Sequence, residues 1–296
     1  MKSVMYHYIR DYSSEYPNFN FLGKAKYIDQ VENFQKVGII ENEYDLYNFN
    51  EKYILTFDDG FKDHVLAAEV LKKKGVIGVF FIPTFPYKNK DLLDVHKAHL
   101  ITGKMGGSKS LDALYKYLKQ NKEDKFVNNI EKEKFKSAYK NQKDDNDKKE
   151  FKKIINYCGD INKKHRILNY LMKIFSISLK SEDFYLSIEE IKYLSDMGMI
   201  LGSHSVSHTL LSRLSFDEQK NELKESKEFL EDVTKKRCET FCFPYGGKIS
   251  YNNDTLTILK NLGYKLSYTV DHRDITKEDL KNNPYELPRY DCNQFI

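Results

Sequence analysis

Hydrophobic and polar positions follow a repeated order along the chain: an amphipathic helical pattern, a glycine, and a short apolar run. The clearest cases are residues 64–75 before 76–83, 187–198 before 199–205, and 253–263 before 264–270. A glycine just past a helix supplies the left-handed residue that ends it, and short apolar runs suit strands buried on both faces. The alternation therefore predicts an α/β fold with a parallel sheet or barrel.

Further signals extend this pattern. The apolar runs at 3–9 and 52–57 predict two more strands, and the pairs Ser187 with Glu190 and Ser215 with Glu218 are capping boxes that predict two helix starts. Together these signals predict at least five or six β/α units.

Residues 88–183 break the pattern. They are dense in Lys, Asp and Asn, and apolar residues recur at helical spacing only in parts. We interpret them as a mostly helical insertion, with a mobile hydrophilic centre near 140–150, carried on a core of residues 1–87 and 184–296. The alternative is that they are ordinary surface helices of the same domain.

Composition narrows the class of protein. The 296 residues are 40% hydrophobic, which suits a globular chain, and 48 Lys and Arg against 44 Asp and Glu leave a charge of +4. So small an excess favours neither nucleic acid nor an anionic membrane as partner. The four cysteines form no Cys-x-x-Cys motif, so free thiols in a reducing compartment are expected.

Neither a leader nor a membrane span is expected. The N-terminus has no long apolar core, and the longest apolar stretch, residues 76–85, is far shorter than a bilayer requires. The sequence thus predicts a soluble, cytoplasmic protein with no transmembrane segment.

Polar residues with catalytic chemistry gather in segments that the pattern places after strands. These segments are residues 56–60, 202–208, 242–247 and 286–293. Side chains just past the carboxyl ends of parallel strands converge on one face of a sheet or barrel, so we expect one shared site.

Two histidines and two aspartates in these segments suit a metal. His204 and His208 are four residues apart, a spacing that puts both imidazoles on the same side of a helical turn. Asp58 or Asp59 would supply a carboxylate ligand. Adjacent residues of an extended chain point to opposite faces, so one carboxylate would bind the metal while the other serves as a base, and Gly60 would allow a sharp turn.

Three motifs, in this order, resemble those of the polysaccharide deacetylase family, which is built on the NodB homology domain. They are Thr-Phe-Asp-Asp-Gly at 56–60, a His-Ser pair with a second histidine at 204–208, and Pro-Tyr-Gly at 244–246. The resemblance implies a distorted (β/α)7-type barrel with one divalent metal ion, zinc in the first place and cobalt or nickel as alternatives. The metal ligands that it implies are Asp59, His204 and His208.

The resemblance also implies roles for other residues. Asp58 would be the catalytic base and the Tyr245 N–H a donor to the oxyanion, while we assign His7, Pro244 and Gly246 to substrate binding. Many family members have an arginine where this chain has Cys242. We assign the role of orienting the base to Arg289, with a purely structural salt bridge as the alternative.

The general acid is not assigned, because the late Leu-x-His motif of the family is not visible. His7, His272, His96 and His99 are the candidates, the last two as part of a lid begun by the insertion. Cys238 and Cys242 could also be a metal pair, although buried thiols are favoured.

The expected function is a metal-dependent hydrolase that removes an N-acetyl group from an amino sugar of a glycan or glycan precursor. The alternatives are deformylation or cyclic-amide hydrolysis at the same site, or a glycan-binding module that retains the metal without catalysis. A further hypothesis makes residues 88–183 a docking lobe for a protein partner.

Overall fold

The computed structural model describes residues 1–127, 129–136, 138–139 and 143–295. The chain divides into two compact units. The first unit contains Met1–Asp11, Phe21–Asp91 and Ser181–Ile296, and the second contains Tyr12–Asn20 and Leu92–Lys180. No pattern in the sequence separated residues 12–20 from the core.

The first unit is built on seven parallel strands in the order β6-β5-β4-β3-β2-β1-β7. The strands are β1 (Lys2–Tyr6), β2 (Tyr53–Phe57), β3 (Val79–Ile82), β4 (Ile200–Ser203), β5 (Thr240–Cys242), β6 (Leu266–Tyr268) and β7 (Tyr290–Asp291). Neighbouring strands from β1 to β6 are also consecutive in the chain, as right-handed β/α crossovers produce.

One chain segment connects the two edges of this sheet, so the sheet curls into a half-barrel. The N–H of Leu287 donates to the carbonyl of Ser267 at 2.9 Å, next to β6. Three residues later β7 pairs with β1, with Tyr290 opposite Val4. The same segment thus approaches β6 and β1 in turn.

The helices alternate with the strands as the pattern predicted. In chain order they are α1 (Lys24–Val37), α2 (Tyr44–Tyr47), α3 (His64–Lys73), α4 (Phe85–Asn89), α5 (Asp94–Met105), α6 (Gly107–Gln120), α7 (Asn129–Lys134), α8 (Asn146–Lys153), α9 (Ile161–Ile174), α10 (Ser181–Phe184), α11 (Ile188–Asp196), α12 (Phe216–Thr234), α13 (Asn253–Asn261) and α14 (Lys277–Asn282). Both predicted capping boxes are present, at the starts of α11 and α12. The glycines predicted to end α3, α11 and α13 have φ values of 69°, 92° and 76°.

Aromatic side chains fill the core between the central strands. The ring of Phe57 on β2 stacks on Phe80 of β3 at 4.4 Å and on Tyr6 of β1 at 5.2 Å. All three residues are fully buried. Burial on both faces explains why these strands are nearly continuous apolar runs in the sequence.

The second unit is helical, and polar side-chain contacts join α5 to α9. Lys97 on α5 is 1% exposed and donates to Asn169 of α9 at 2.6 Å. His165 of α9 lies 2.9 Å from the Asp94 carboxylate. The predicted mobile centre near 140–150 overlaps residues 140–142, which lie outside the described residues, while α8 is helical from Asn146 onward.

Over the described residues, no helix is both long and apolar enough to cross a membrane.

Candidate active site

The carboxyl ends of four strands deliver the predicted site residues. His7 follows β1, Asp58 and Asp59 follow β2, His204 follows β4, and residues 242–246 continue from β5. Because the strands are parallel and adjacent, these ends meet at one edge of the sheet. One predicted segment differs: Arg289 comes just before β7 rather than after a strand, and its long side chain reaches the site from within the sheet.

The structure brings Asp59, His204 and His208 together. The Nε2 atoms of both histidines lie 3.5 Å from Oδ1 of Asp59. The three ligand atoms lie within 4.8 Å of one another, and all three residues are buried. Two imidazoles and one carboxylate are a donor set that suits a zinc-class ion and leaves coordination positions open.

The orientation of His204 fits a metal ligand. Its Nδ1 lies 2.8 Å from the carbonyl oxygen of Cys242. A carbonyl only accepts, so Nδ1 carries a proton and Nε2 is the atom directed at Asp59. Burial lowers the pKa of His204, but Cys242 and Asp59 outweigh burial and raise the pKa. A proton and a metal ion are alternatives at Nε2, so metal binding would release that proton.

The spacing of the two histidines predicted a helical turn, but the structure places both of them in a loop. Residues 204–208 form a loop in which Ser205 and His208 have φ values of 62° and 54°. Asp59 and Tyr245 also have positive φ, 79° and 63°. Left-handed backbone at residues other than glycine costs roughly 1 kcal/mol or more each and concentrates at functional sites. These turns aim the side chains at one point.

The two aspartates have different partners, but strand alternation is not the reason. The strand ends at Phe57, and the left-handed φ of Asp59, rather than strand alternation, turns its carboxylate toward the histidines. Gly60, with φ of 62°, continues the turn.

Asp58 forms a buried bidentate ion pair with Arg289. The guanidinium donates to Oδ1 at 2.7 Å and to Oδ2 at 2.8 Å. Asp58 is 2% exposed and Arg289 is fully buried. Burial alone would raise the pKa of Asp58, but the charge and hydrogen bonds of Arg289 prevail and lower it to about 2. Asp58 is therefore ionised at every physiological pH.

Arg289 is itself held from three sides. It donates to Oγ1 of Thr56 at 3.0 Å, to Sγ of Cys242 at 3.0 Å and to the carbonyl of Thr269 at 2.9 Å. Cys242, which occupies the place of the usual family arginine, thus contacts the arginine that pairs with the candidate base. Its role could not be inferred from the sequence, because the contact joins residues 47 positions apart.

The cysteines do not form the alternative metal pair. Cys238 directs its thiol at the carbonyl of Thr240, and burial raises its pKa to about 12. Asp58, His204 and Cys242 also lie close enough to share an ion. However, the carboxylate of Asp58 is occupied by Arg289, and burial raises the pKa of the Cys242 thiol. A protonated thiol is a poor ligand.

Of the candidate acids, the structure places His7 beside Asp58. Its Nε2 lies 3.9 Å from Oδ2 of Asp58, and its side chain is 39% exposed. His64, a buried residue that sequence reasoning did not single out, contacts the His7 carbonyl through Nε2 at 2.9 Å. His272 is exposed and contacts Gln294, while His96 and His99 belong to the second unit.

The third motif lies beside the histidines. The ring of Tyr245 contacts that of His208 with centroids 5.0 Å apart, and Pro244 is buried. Gly246 has φ of 64°, and a Cβ there would lie 2.6 Å from Cγ1 of Val270. Only glycine fits this close approach, which fixes the turn that carries Tyr245.

The fold and the residue pattern together define a barrel protein with a candidate metal site at the carboxyl ends of its strands. The family model for polysaccharide deacetylase matches residues 159–267. The Bacillus subtilis protein YxkH is 25% identical over 87 residues, which cover 29% of this chain and 30% of that protein. The predicted resemblance to the polysaccharide deacetylase family is confirmed.

Solved structures agree on the fold. The Streptococcus pyogenes deacetylase PplD, in complex with acetate, has a TM-score of 0.58 and 17% identity, with 98% of this chain and 91% of that chain covered. BC0361, a polysaccharide deacetylase from Bacillus cereus, has a TM-score of 0.56 and 16% identity, with 98% of this chain and 64% of that chain covered. IcaB from Ammonifex degensii has a TM-score of 0.54 and 15% identity, with 98% of this chain and 90% of that chain covered. The predicted (β/α)7-type barrel is confirmed.

Proposed function

We propose that this protein is a metal-dependent hydrolase that removes an N-acetyl group from an amino sugar of a glycan or glycan precursor and releases acetate. One observation carries the proposal. A cluster suited to a metal, made by Asp59, His204 and His208, lies next to a second carboxylate, Asp58, that is ionised and held by Arg289. A second carboxylate beside the cluster is what a general base for the attacking water requires. The family resemblance supports the same reaction class.

The proposed cofactor is one divalent ion, with zinc as the first choice and cobalt or nickel as alternatives. Asp59, His204 and His208 would hold it. Such an ion, when bound, lowers the pKa of a coordinated water and polarises an amide carbonyl.

The proposed base is Asp58. Arg289 keeps this carboxylate ionised and therefore able to accept a proton from the attacking water, while the same positive charge lowers its basicity. The bidentate pair with Arg289 fixes both carboxylate oxygens and hence the direction from which the proton is taken.

Cleavage of the amide also requires a hydrogen-bond donor to the oxyanion and a proton for the leaving amine. We assign the backbone N–H of Tyr245 to the oxyanion, and Pro244 and Gly246 to the wall of the acyl pocket. His7 is assigned to the sugar side and to the proton, because its imidazole lies beside Asp58 and is partly exposed.

The test is release of acid from defined sugars by the metal-loaded protein. Oligosaccharides of N-acetylated and N-formylated amino sugars are incubated with protein loaded with Zn²⁺, Co²⁺ or Ni²⁺, and acetate and formate are assayed separately. Acetate is expected. Formate alone would replace the reaction with deformylation, and tight sugar binding with no acid released would indicate a binding module.

Variants separate the base from the metal site. Asp58→Asn should lower kcat by about 10²- to 10⁴-fold, the usual contribution of a general base, and leave metal content near one ion per chain. Asp59→Ala and His204→Ala should lose both metal and activity. His272→Ala, an exposed histidine outside the site, is the matched control and should behave as wild type. Full activity in Asp58→Asn would contradict the assigned base.

A further inference from the structure

The loop that carries both candidate histidine ligands, His204–His208, lies outside the helices and strands. We call it the histidine loop. Ser205 and His208 hold left-handed backbone within it, with φ of 62° and 54°. Such a conformation persists only where surrounding contacts determine it. The direction of both imidazoles therefore depends on what holds this loop.

The carbonyl groups of the histidine loop are bound from one side. The N–H of Thr84 donates to the carbonyl of Ser205 at 3.2 Å, and the N–H of Phe85 donates to the carbonyl of Val206 at 3.0 Å. The backbone N–H groups at the turn of the same loop need acceptors of their own.

A single carboxylate, that of Glu222 on α12, supplies them. Its Oε2 accepts from the N–H of Val206 at 2.9 Å and from the N–H of Ser207 at 2.8 Å. Its Oε1 accepts from the Ser207 hydroxyl at 2.7 Å. Both oxygens are thus committed to the loop; burial raises the pKa of this carboxyl group above its ordinary value, and the hydrogen bonds from Ser207 and Val206 oppose that effect.

The same face of α12 makes a second contact one turn later. The Ser226 hydroxyl lies 2.6 Å from the Ser203 hydroxyl, and the Ser203 oxygen accepts from the N–H of Ser205 at 3.3 Å. Glu222 and Ser226 are four residues apart, the spacing of neighbours on one helix face. Helix α12 therefore contacts both the end of β4, which leads into the histidine loop, and the turn of that loop.

We propose that Glu222 is a positioning residue of the metal site: by binding the turn of the histidine loop, it keeps Nε2 of His204 and of His208 directed at Oδ1 of Asp59. The inference rests on the proposed function, since it concerns the same metal. Glu222 would not touch the metal or the substrate. Its removal would free the loop to leave the left-handed conformation, and the two imidazoles would no longer be preorganised to bind one ion.

The experiment measures Co²⁺ affinity of the full chain by calorimetry, with Co²⁺ as the only ligand. Glu222→Ala should bind Co²⁺ about 10- to 100-fold more weakly than wild type, the usual effect of losing a group that orients metal ligands. Glu222→Asp should lie between the two, because its carboxylate is one methylene too short to reach all three donors. The matched control is Glu228→Ala on the same helix, whose side chain is 58% exposed.

A merely structural role would give a different result. It would lower the unfolding temperature of the metal-free variant and leave the Co²⁺ dissociation constant unchanged, which would overturn the proposal. If Glu222→Ala does not fold, Glu222→Asp decides: an affinity equal to that of wild type overturns the inference.

The two proposals fail in different ways. Wild-type protein that binds no Co²⁺ would overturn both this inference and the metal-dependent function. Wild-type binding with unaffected Glu222 variants would overturn the inference alone. Weakened binding in the variants, together with absence of acid release by the wild type, would uphold the inference and overturn the function.

Discussion

The residue that pairs with Asp58 comes from the opposite end of the chain. Arg289 is 231 positions away, yet its guanidinium binds both oxygens of the carboxylate, and both residues are buried. Removing one partner of a buried pair leaves an uncompensated charge, which is costly because the interior solvates it poorly. The pair is thus expected to stabilise the fold, in addition to the role in catalysis proposed above.

Arg289→Ala should lower the free energy of unfolding by about 3–5 kcal/mol, and Arg289→Lys by less, since the lysine keeps the charge but loses the bidentate geometry. Urea unfolding at neutral pH measures both. The control is Arg237→Ala, whose side chain is 87% exposed and whose change should be close to zero. A loss below 1 kcal/mol for Arg289→Ala would contradict this account.

At the scale of the element, helix starts are fixed by short local contacts. Helix α14 begins with a capping box between Thr276 and Asp279, and Asp279 also binds Arg273 through both oxygens, at 2.7 and 2.9 Å. Hydrogen bonds from Arg273, ahead of opposing burial, hold the pKa of Asp279 well below its ordinary value of 3.8. The ionised carboxylate is therefore part of the fold.

Asp279→Asn should destabilise the protein by about 1–2 kcal/mol at pH 7, the cost of a lost helix cap. The folded-state pKa is depressed, so the wild-type advantage is complete above about pH 4 and is lost as pH falls below it. Urea unfolding of both proteins between pH 7 and pH 2 should show the difference narrowing. Glu278→Gln, an exposed neighbour in the same first turn, is the control. A difference constant with pH would contradict the argument.

At the scale of the whole molecule, the parallel sheet joins distant segments at one edge. The candidate ligands follow β2 and β4, and the partner of the proposed base precedes β7. Such a site exists only in the folded chain, so a metal that binds there binds the folded state alone and adds to its stability.

Saturating Zn²⁺ should therefore raise the melting temperature of the wild type. At a free concentration about 100 times the dissociation constant, the added stability is about 2.7 kcal/mol, which corresponds to a rise of several degrees. Differential scanning calorimetry measures the rise, and a chelator should reverse it. His204→Ala should show no rise. A rise of equal size in that variant would mean that Zn²⁺ binds elsewhere.

How much the sequence could predict differed from element to element. The helices α3, α11 and α13 were predicted from the helical spacing of their apolar residues and from a terminal glycine, since both signals are local. The spacing of His204 and His208 predicts a helical turn, but a spacing of four residues is equally compatible with the observed loop, which is held by tertiary hydrogen bonds. Residue Glu222, which supplies those bonds, is one of several glutamates on α12, and no local signal distinguishes it.

By itself, the sequence determined the alternation of helices and strands, the parallel sheet, and which motifs contribute metal-binding residue types, since these depend on local pattern and on side-chain chemistry. Only the tertiary structure decided that Arg289, assigned to the base by resemblance, binds both oxygens of Asp58, that Cys242 contacts this pair, and that Glu222 holds the histidine loop. The physical reason is that these contacts join residues far apart in the chain, where distance and direction are set by how strands and helices pack.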